Sequence, residues 1–114
     1  MANAQIPAPL VRRYLLEKAL DPSEALGIAE AYLADERTME SLAFLAAAEA
    51  WERLAEVREA VIASGDAFVL RSIAVLEGRE PSPEEWSRLE EAAKAAGKMV
   101  YADTARRQSQ RQEG

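Results

Sequence analysis

Cysteine and histidine are both missing from the 114 residues. Without thiols the chain has no disulfide framework, no thiolate metal ligand and no cysteine nucleophile. Without imidazole it lacks the commonest general base and the commonest metal ligand. Glycine and proline are scarce at five each, and aromatic residues make up only 6%. Long apolar runs are lacking too. The longest, Leu42 to Ala48, spans seven residues, which excludes a transmembrane helix. The stretch from Met1 to Pro7 lacks the basic segment and apolar core of a secretory signal, so a cytoplasmic protein is the expectation.

What the chain does contain is alanine, 24 residues of it within a hydrophobic share of 49%. Alanine is the best helix former, and few glycines or prolines interrupt it, so the composition predicts an all-α protein. The length suits one compact domain. Punctuation divides the sequence further. Pro7 and Pro9 precede an apolar-periodic run that predicts a first helix over about 9–20. Asp21-Pro22-Ser23-Glu24 has the form of a capping box and opens a second helix reaching about Asp35. Thr38 is the expected N-cap of a third, Met39 to about Glu49, and Trp51 to Ser64 is a fourth, closed by Gly65. Asp66 caps a fifth, Ala67 to Glu77, which Gly78 ends. Ser82-Pro83-Glu84-Glu85 starts a sixth that runs to Ala96 before Gly97, and a seventh covers Lys98 to about Arg107. The helical domain is thus expected over 9–107, between a flexible N-terminus, 1–8, and a polar disordered tail, 108–114.

Self-similarity at about 32 residues places Gly65 on Gly97, Glu59 on Glu91 and Ala63 on Ala95; upstream, a shift of 31 places Ser41 on Ser72 and Leu42 on Ile73. The chain therefore reads as a lead helix followed by three antiparallel helical hairpins, 22–49, 51–77 and 83–107, stacked as a short α-solenoid. An irregular helical bundle of the same seven helices is the other reading. The third and fifth helices are apolar nearly all round and are expected to be buried between neighbours, whereas the fourth and sixth are two-faced. Asp66, then Val69-Leu70-Arg71 and Ala74, resembles the Asp…Val-Arg…Ala signature of HEAT-type α-solenoid repeats. The resemblance covers about one hairpin; Glu40 or Ser41 and Asp103 stand where the other hairpins would need the arginine. It implies a binding scaffold with a concave protein-recognition face and carries over no catalytic residue.

Charge is unevenly distributed along a chain of net −6: residues 1–20 carry +2, 21–66 carry −8, 67–97 carry −2 and 98–114 carry +2. The acidic middle repels a phosphate backbone, so nucleic-acid binding is disfavoured, and only the basic termini, Arg12-Arg13 and Arg106-Arg107 with Arg111, would serve it or a membrane surface. Glu49, Glu52, Glu56 and Glu59 fall at i, i+3, i+7 and i+10, which would set four carboxylates on one helix face, tempered by Arg53 and Arg58. Such a face suits a basic protein partner, or else simply faces water. Trp51 and Trp86 are the candidate contact aromatics, with core packing as the alternative for each. Pairs Glu49–Arg53, Glu84–Arg88 and Glu90–Lys94 have the favourable i, i+4 order.

Serine has no Ser-x-x-Lys or Gly-x-Ser-x-Gly setting, no glycine-rich loop cradles a phosphate, and seven aromatic residues are few for a sugar cleft. The expectation is a protein without catalytic, cofactor-binding or metal-binding residues: a non-catalytic protein–protein interaction module or adaptor presenting a helical groove or acidic face. A self-associating helical subunit, hence a homo-oligomer, and an accessory that binds nucleic acid or membrane through the basic termini are the alternatives.

Overall fold

A computed structural model describes residues 6–113, with the side chain of Glu113 left aside. Among the described residues it is all-α, with no strand: α1 (Pro9–Glu17), α2 (Pro22–Ala34), α3 (Thr38–Ala47), α4 (Trp51–Ser64), α5 (Ala67–Glu77), α6 (Pro83–Ala95) and α7 (Met99–Glu113). No helix is long and apolar enough to cross a membrane among these residues. The chain divides into two compact units, Met1–Ala55 and Glu56–Gly114.

Helix starts follow the side-chain caps. Asp21 accepts the Ser23 amide at 3.1 Å, one residue earlier than a capping box requires, so Asp21 to Glu24 is a capped start without that reciprocal bond. Asp66 accepts the Val69 amide at 3.1 Å. Ser82 and Glu85 exchange both bonds of a true capping box, at 3.1 and 2.9 Å. In α3 the helix begins at Thr38 itself, with Arg37 as N-cap and no side-chain cap; the Arg37 side chain binds that of Glu40 in the first turn through two hydrogen bonds of 2.7 and 2.6 Å.

Helix ends share one geometry. After α2, α3, α4, α5 and α6 comes a left-handed residue: Glu36 (φ 60°), Glu49 (φ 52°), Gly65 (φ 77°), Gly78 (φ 66°) and Gly97 (φ 75°). The amide of the next residue then bonds back five positions, Arg37 to Tyr32, Ala50 to Leu45, Asp66 to Val61, Arg79 to Ala74 and Lys98 to Ala93, at 2.8–3.3 Å. This is the Schellman motif, which satisfies two terminal carbonyls and turns the chain toward the next helix. All five accepting residues are buried.

These ends reset the repeat. Glu36 to Gly65 and Glu49 to Gly78 are both 29 residues apart, while Gly65 to Gly97 is 32. At a shift of 29, the buried Ala25, Ile28, Ala29 and Tyr32 of α2 fall on Leu54, Val57, Arg58 and Val61 of α4, all of them buried. At 32, Leu54, Val57 and Val61 fall on Trp86, Leu89 and Ala93 of α6, again all buried. The upstream shift of 31 is therefore corrected to 29. Glycines fix the register only where both pairs carry one, and the first pair turns on two glutamates.

In the first unit α2 packs on α3, and α1 lies on α3. Tyr32 and Phe44 stack at 5.8 Å between ring centres. Arg12 lies over both rings at 5.6 and 5.4 Å and donates to the Glu40 carbonyl at 2.9 Å. In the second unit α7 packs on α6 and on α5. A Cβ on Gly65 would meet the Ala93 backbone at 2.6 Å, so the end of α4 lies directly against α6.

Two further expectations change. The tail from Gln108 to Glu113 continues α7 as helix, because Ser109 is buried within 3.4 Å of the Ser87 hydroxyl and the Pro83 carbonyl. The first helix stops at Glu17, short of Leu20. Of the N-terminal segment, residues 1–5 lie outside the described residues, and Ile6 to Ala8 are non-helical.

Candidate functional site

The acidic face does not assemble as its spacing predicts. Glu49 has left the helix: it is the left-handed residue between α3 and α4, so it shares no face with Glu52, Glu56 and Glu59. Glu49 and Arg53 therefore do not share a helix, and Arg53 holds Glu30 through bonds of 2.7 and 2.9 Å. Those bonds lower the Glu30 carboxyl below its usual range against the opposing effect of burial. Glu59 takes Arg88 at 2.7 Å, in place of Glu84, while Lys94 meets Glu90 at 3.1 Å as expected. Of the four acids, Glu52 is simply exposed on α4. The Trp pair separates as well. Trp51 is 47% exposed, whereas Trp86 is 1% exposed and belongs to the core, so it offers no contact to a partner.

Arg58, read from the sequence as part of the solvated face, is buried at 3% exposure. Its side chain donates to both Glu85 oxygens at 2.9 and 3.0 Å, and a third bond reaches Glu77. Burial alone would raise the Glu85 carboxyl. Hydrogen bonds from Arg58 and the Ser82 amide, with the charges of Arg58 and Arg79, outweigh burial and hold it at about 2. The cluster is a structural lock. Each of its three nitrogens donates to one of two carboxylates, and at 3% exposure the group is closed to a ligand.

A different set of charges is open. Between α5, the 78–82 loop, α6 and α7 lies a cleft of about 260 Å³. Arg71, Arg79 and Arg111 line it, with Glu80 as the one acid of the lining, over walls that include Val75 and Trp86. Among the described residues Arg71 and Arg111 have no carboxylate within ion-pair reach. Arg79 shares Glu85 with Arg58, at the longer distance of 3.4 Å. The Trp86 indole N–H is buried without a hydrogen-bond acceptor among the described residues.

Helix α5 leads into this cleft along an exposed face. Phe68 is 58% and Val75 81% exposed, with Arg71 between them at helical spacing and Leu76 beside them. The fifth helix is therefore not buried all round. Its core side is Ala67, Val69, Leu70, Ile73 and Ala74, and its opposite side keeps large apolar groups in water. The Asp66 and Arg71 of the repeat-like signature serve separate ends: Asp66 caps the helix, and Arg71 lines the cleft.

The basic terminal pair is partly spent, since Arg106 and Arg107 both bind the carboxylate of Asp103. Among the described residues, no group of three or more acidic side chains is placed to hold a metal ion. Sequence reasoning missed both Arg58 and the cleft. Arg58 was findable, for it stands four residues from Leu54 and from Ile62 on the apolar stripe of α4. The cleft was not, because Arg71, Arg79 and Arg111 come from separate elements. No family model matches the chain, and neither a curated protein nor a solved structure matches it.

Proposed function

We propose that the chain is a non-catalytic protein-interaction module whose contact surface is the outer face of α5, and that its partner is an acidic, amphipathic protein segment. The observation that carries this reading is the exposure of Phe68 and Val75 on a helix whose other side is core. Single exposed apolar residues are ordinary, but Phe68, Val75 and Leu76 stand within two turns of one rigid element. Arg71 among them and Arg79 just beyond complement acidic side chains, and arginine and aromatic residues such as Phe68 are enriched at protein interfaces. The sequence supports the absence of catalysis, having neither histidine nor cysteine. This face replaces the acidic stripe as the contact surface, since Glu49 lies off the α4 helix and Glu59 is paired with Arg88.

A photo-crosslinking side chain placed at Phe68 or at Val75 should trap one and the same protein, and one at the exposed Ala60 of α4 should not. Phe68→Glu with Val75→Glu should abolish that capture while leaving the thermal midpoint within a few degrees, both sites being exposed. Equal trapping from all three positions overturns the reading. Trapping of a second copy of the chain overturns it in favour of self-association.

A further inference from the structure

We propose that the cleft between α5, the 78–82 loop, α6 and α7 binds a phosphate monoester dianion. The inference does not depend on the partner reading of the α5 face. Three guanidiniums and one carboxylate, that of Glu80, line the cleft. Glu85, outside the lining, is shared between Arg58 and Arg79. The lining thus carries three positive charges against one negative in a chain whose net charge is −6, and among the described residues Arg71 and Arg111 have no ion-pair partner. A carboxylate would neutralise one of them; a phosphate monoester, with about −1.5 to −2 charges at neutral pH, neutralises both. Guanidinium forks match phosphate oxygens in geometry and donate two parallel bonds each.

Helix ends do not account for the cluster. Arg79 follows the C-terminus of α5 and Arg111 is in the last turn of α7, where cations offset the helix dipole. Arg71 is in the middle of α5 and offsets no dipole. The size of the cleft is also informative. At about 260 Å³ it lies below the ~300–1,000 Å³ of drug-sized sites. It exceeds what one phosphate group fills, and the remaining wall at Ala74, Val75 and Pro81 is apolar. A phosphate carried on a short organic stem fits that shape: a small phosphorylated metabolite or a phosphorylated side chain.

Trp86 supplies the reporter. In Trp51→Phe, itself a change at an exposed site, Trp86 is the sole indole and forms part of the cleft wall. Titration with O-phosphoserine should shift its emission saturably and raise the thermal midpoint, as any ligand of the native state does. Sulfate should bind more weakly, and acetate at equal ionic strength should do nothing. Affinity should fall as the pH drops below about 6, where the monoester loses its second charge. Arg71→Gln and Arg111→Gln should each weaken binding about tenfold, the loss expected for a charged hydrogen bond, with Arg71→Lys in between. Phe68→Ser, which adds no charge beside Arg71, should leave O-phosphoserine binding unchanged, which separates this site from the apolar contact at Phe68.

A phosphoserine peptide with apolar neighbours distinguishes the sources. Binding about tenfold tighter than free O-phosphoserine, with the gain lost in Phe68→Ser, assigns the phosphate to a protein side chain. Equal affinity assigns it to a free metabolite. A response to O-phosphoserine no larger than that to acetate overturns the proposal. So do arginine variants that lower stability equally with and without O-phosphoserine while its affinity stays unchanged, for then the three cations serve the fold alone.

Discussion

Arg58 occupies, in α4, the position that Ala29 occupies in α2, and the difference organises the second unit. A buried guanidinium is tolerated only when its donors are taken, and here Glu85 and Glu77 take them. The benefit appears as a dependence on pH. Glu85 has a folded-state pKa of about 2 against an ordinary 4.5. A depressed carboxyl favours the folded state above the unfolded pKa, and this contribution disappears as the pH falls through the folded value. The shift corresponds to roughly 3 kcal/mol at neutral pH. Glu85→Gln should therefore be less stable than the wild type by about that amount at neutral pH, with the gap closing between about pH 5 and pH 2. Urea unfolding of both proteins across that range checks it. A gap that does not change with pH would contradict the assignment of the ion pair.

At the scale of the element, the links between helices show what could be read and what could not. Pro22, Pro83, Asp66 and Ser82 announce helix starts because fixed φ and short polar side chains suit the first turn, and those boundaries fall where the residues indicate. Gly65, Gly78 and Gly97 announce ends for a matching reason, since each takes a positive φ. Glu36 and Glu49 adopt the same left-handed backbone without being glycine. Nothing in a glutamate signals that, so the sequence carries α3 two residues too far and sets Glu49 on a helix face it does not share. The α5 face escaped for another reason. Its residues are apolar all round, and periodicity cannot show which apolar side is left uncovered. Strain at the two glutamates yields a prediction. A left-handed conformation costs a residue with a Cβ roughly 1–2 kcal/mol, which glycine avoids, less what it adds in unfolded-state entropy. Glu36→Gly and Glu49→Gly should each raise stability by about 0.5–1 kcal/mol, read as a higher thermal midpoint. Gly65→Ala is the contrasting change: it adds a positive-φ Cβ against the Ala93 backbone and should lower the midpoint.

Across the whole molecule, stability is graded along the chain. Helices α2 to α6 each end in a Schellman turn, and those in α2, α3, α5 and α6 carry a buried apolar stripe. Helix α1 has neither. It contains no buried residue, no side chain caps its start, and Lys18 ends it in extended backbone. Leu10, Val11 and Tyr14 face water. What holds α1 to the first unit is chiefly Arg12, lying over the Tyr32 and Phe44 rings and donating to Glu40, a cation–π and hydrogen-bond contact worth about 1–2 kcal/mol. An isolated helix of nine residues is not stable in water. Opening of α1 should therefore cost only that contact and the partial burial of Leu15 and Leu16. Hydrogen exchange should find the α1 amides exchanging well before those of α2, and Arg12→Ala should speed α1 exchange about tenfold while leaving α4 to α6 unaltered. Protection of α1 equal to that of α2 would mean that the apolar side chains of α1 are covered in solution by a second chain, and it would have to fall on dilution.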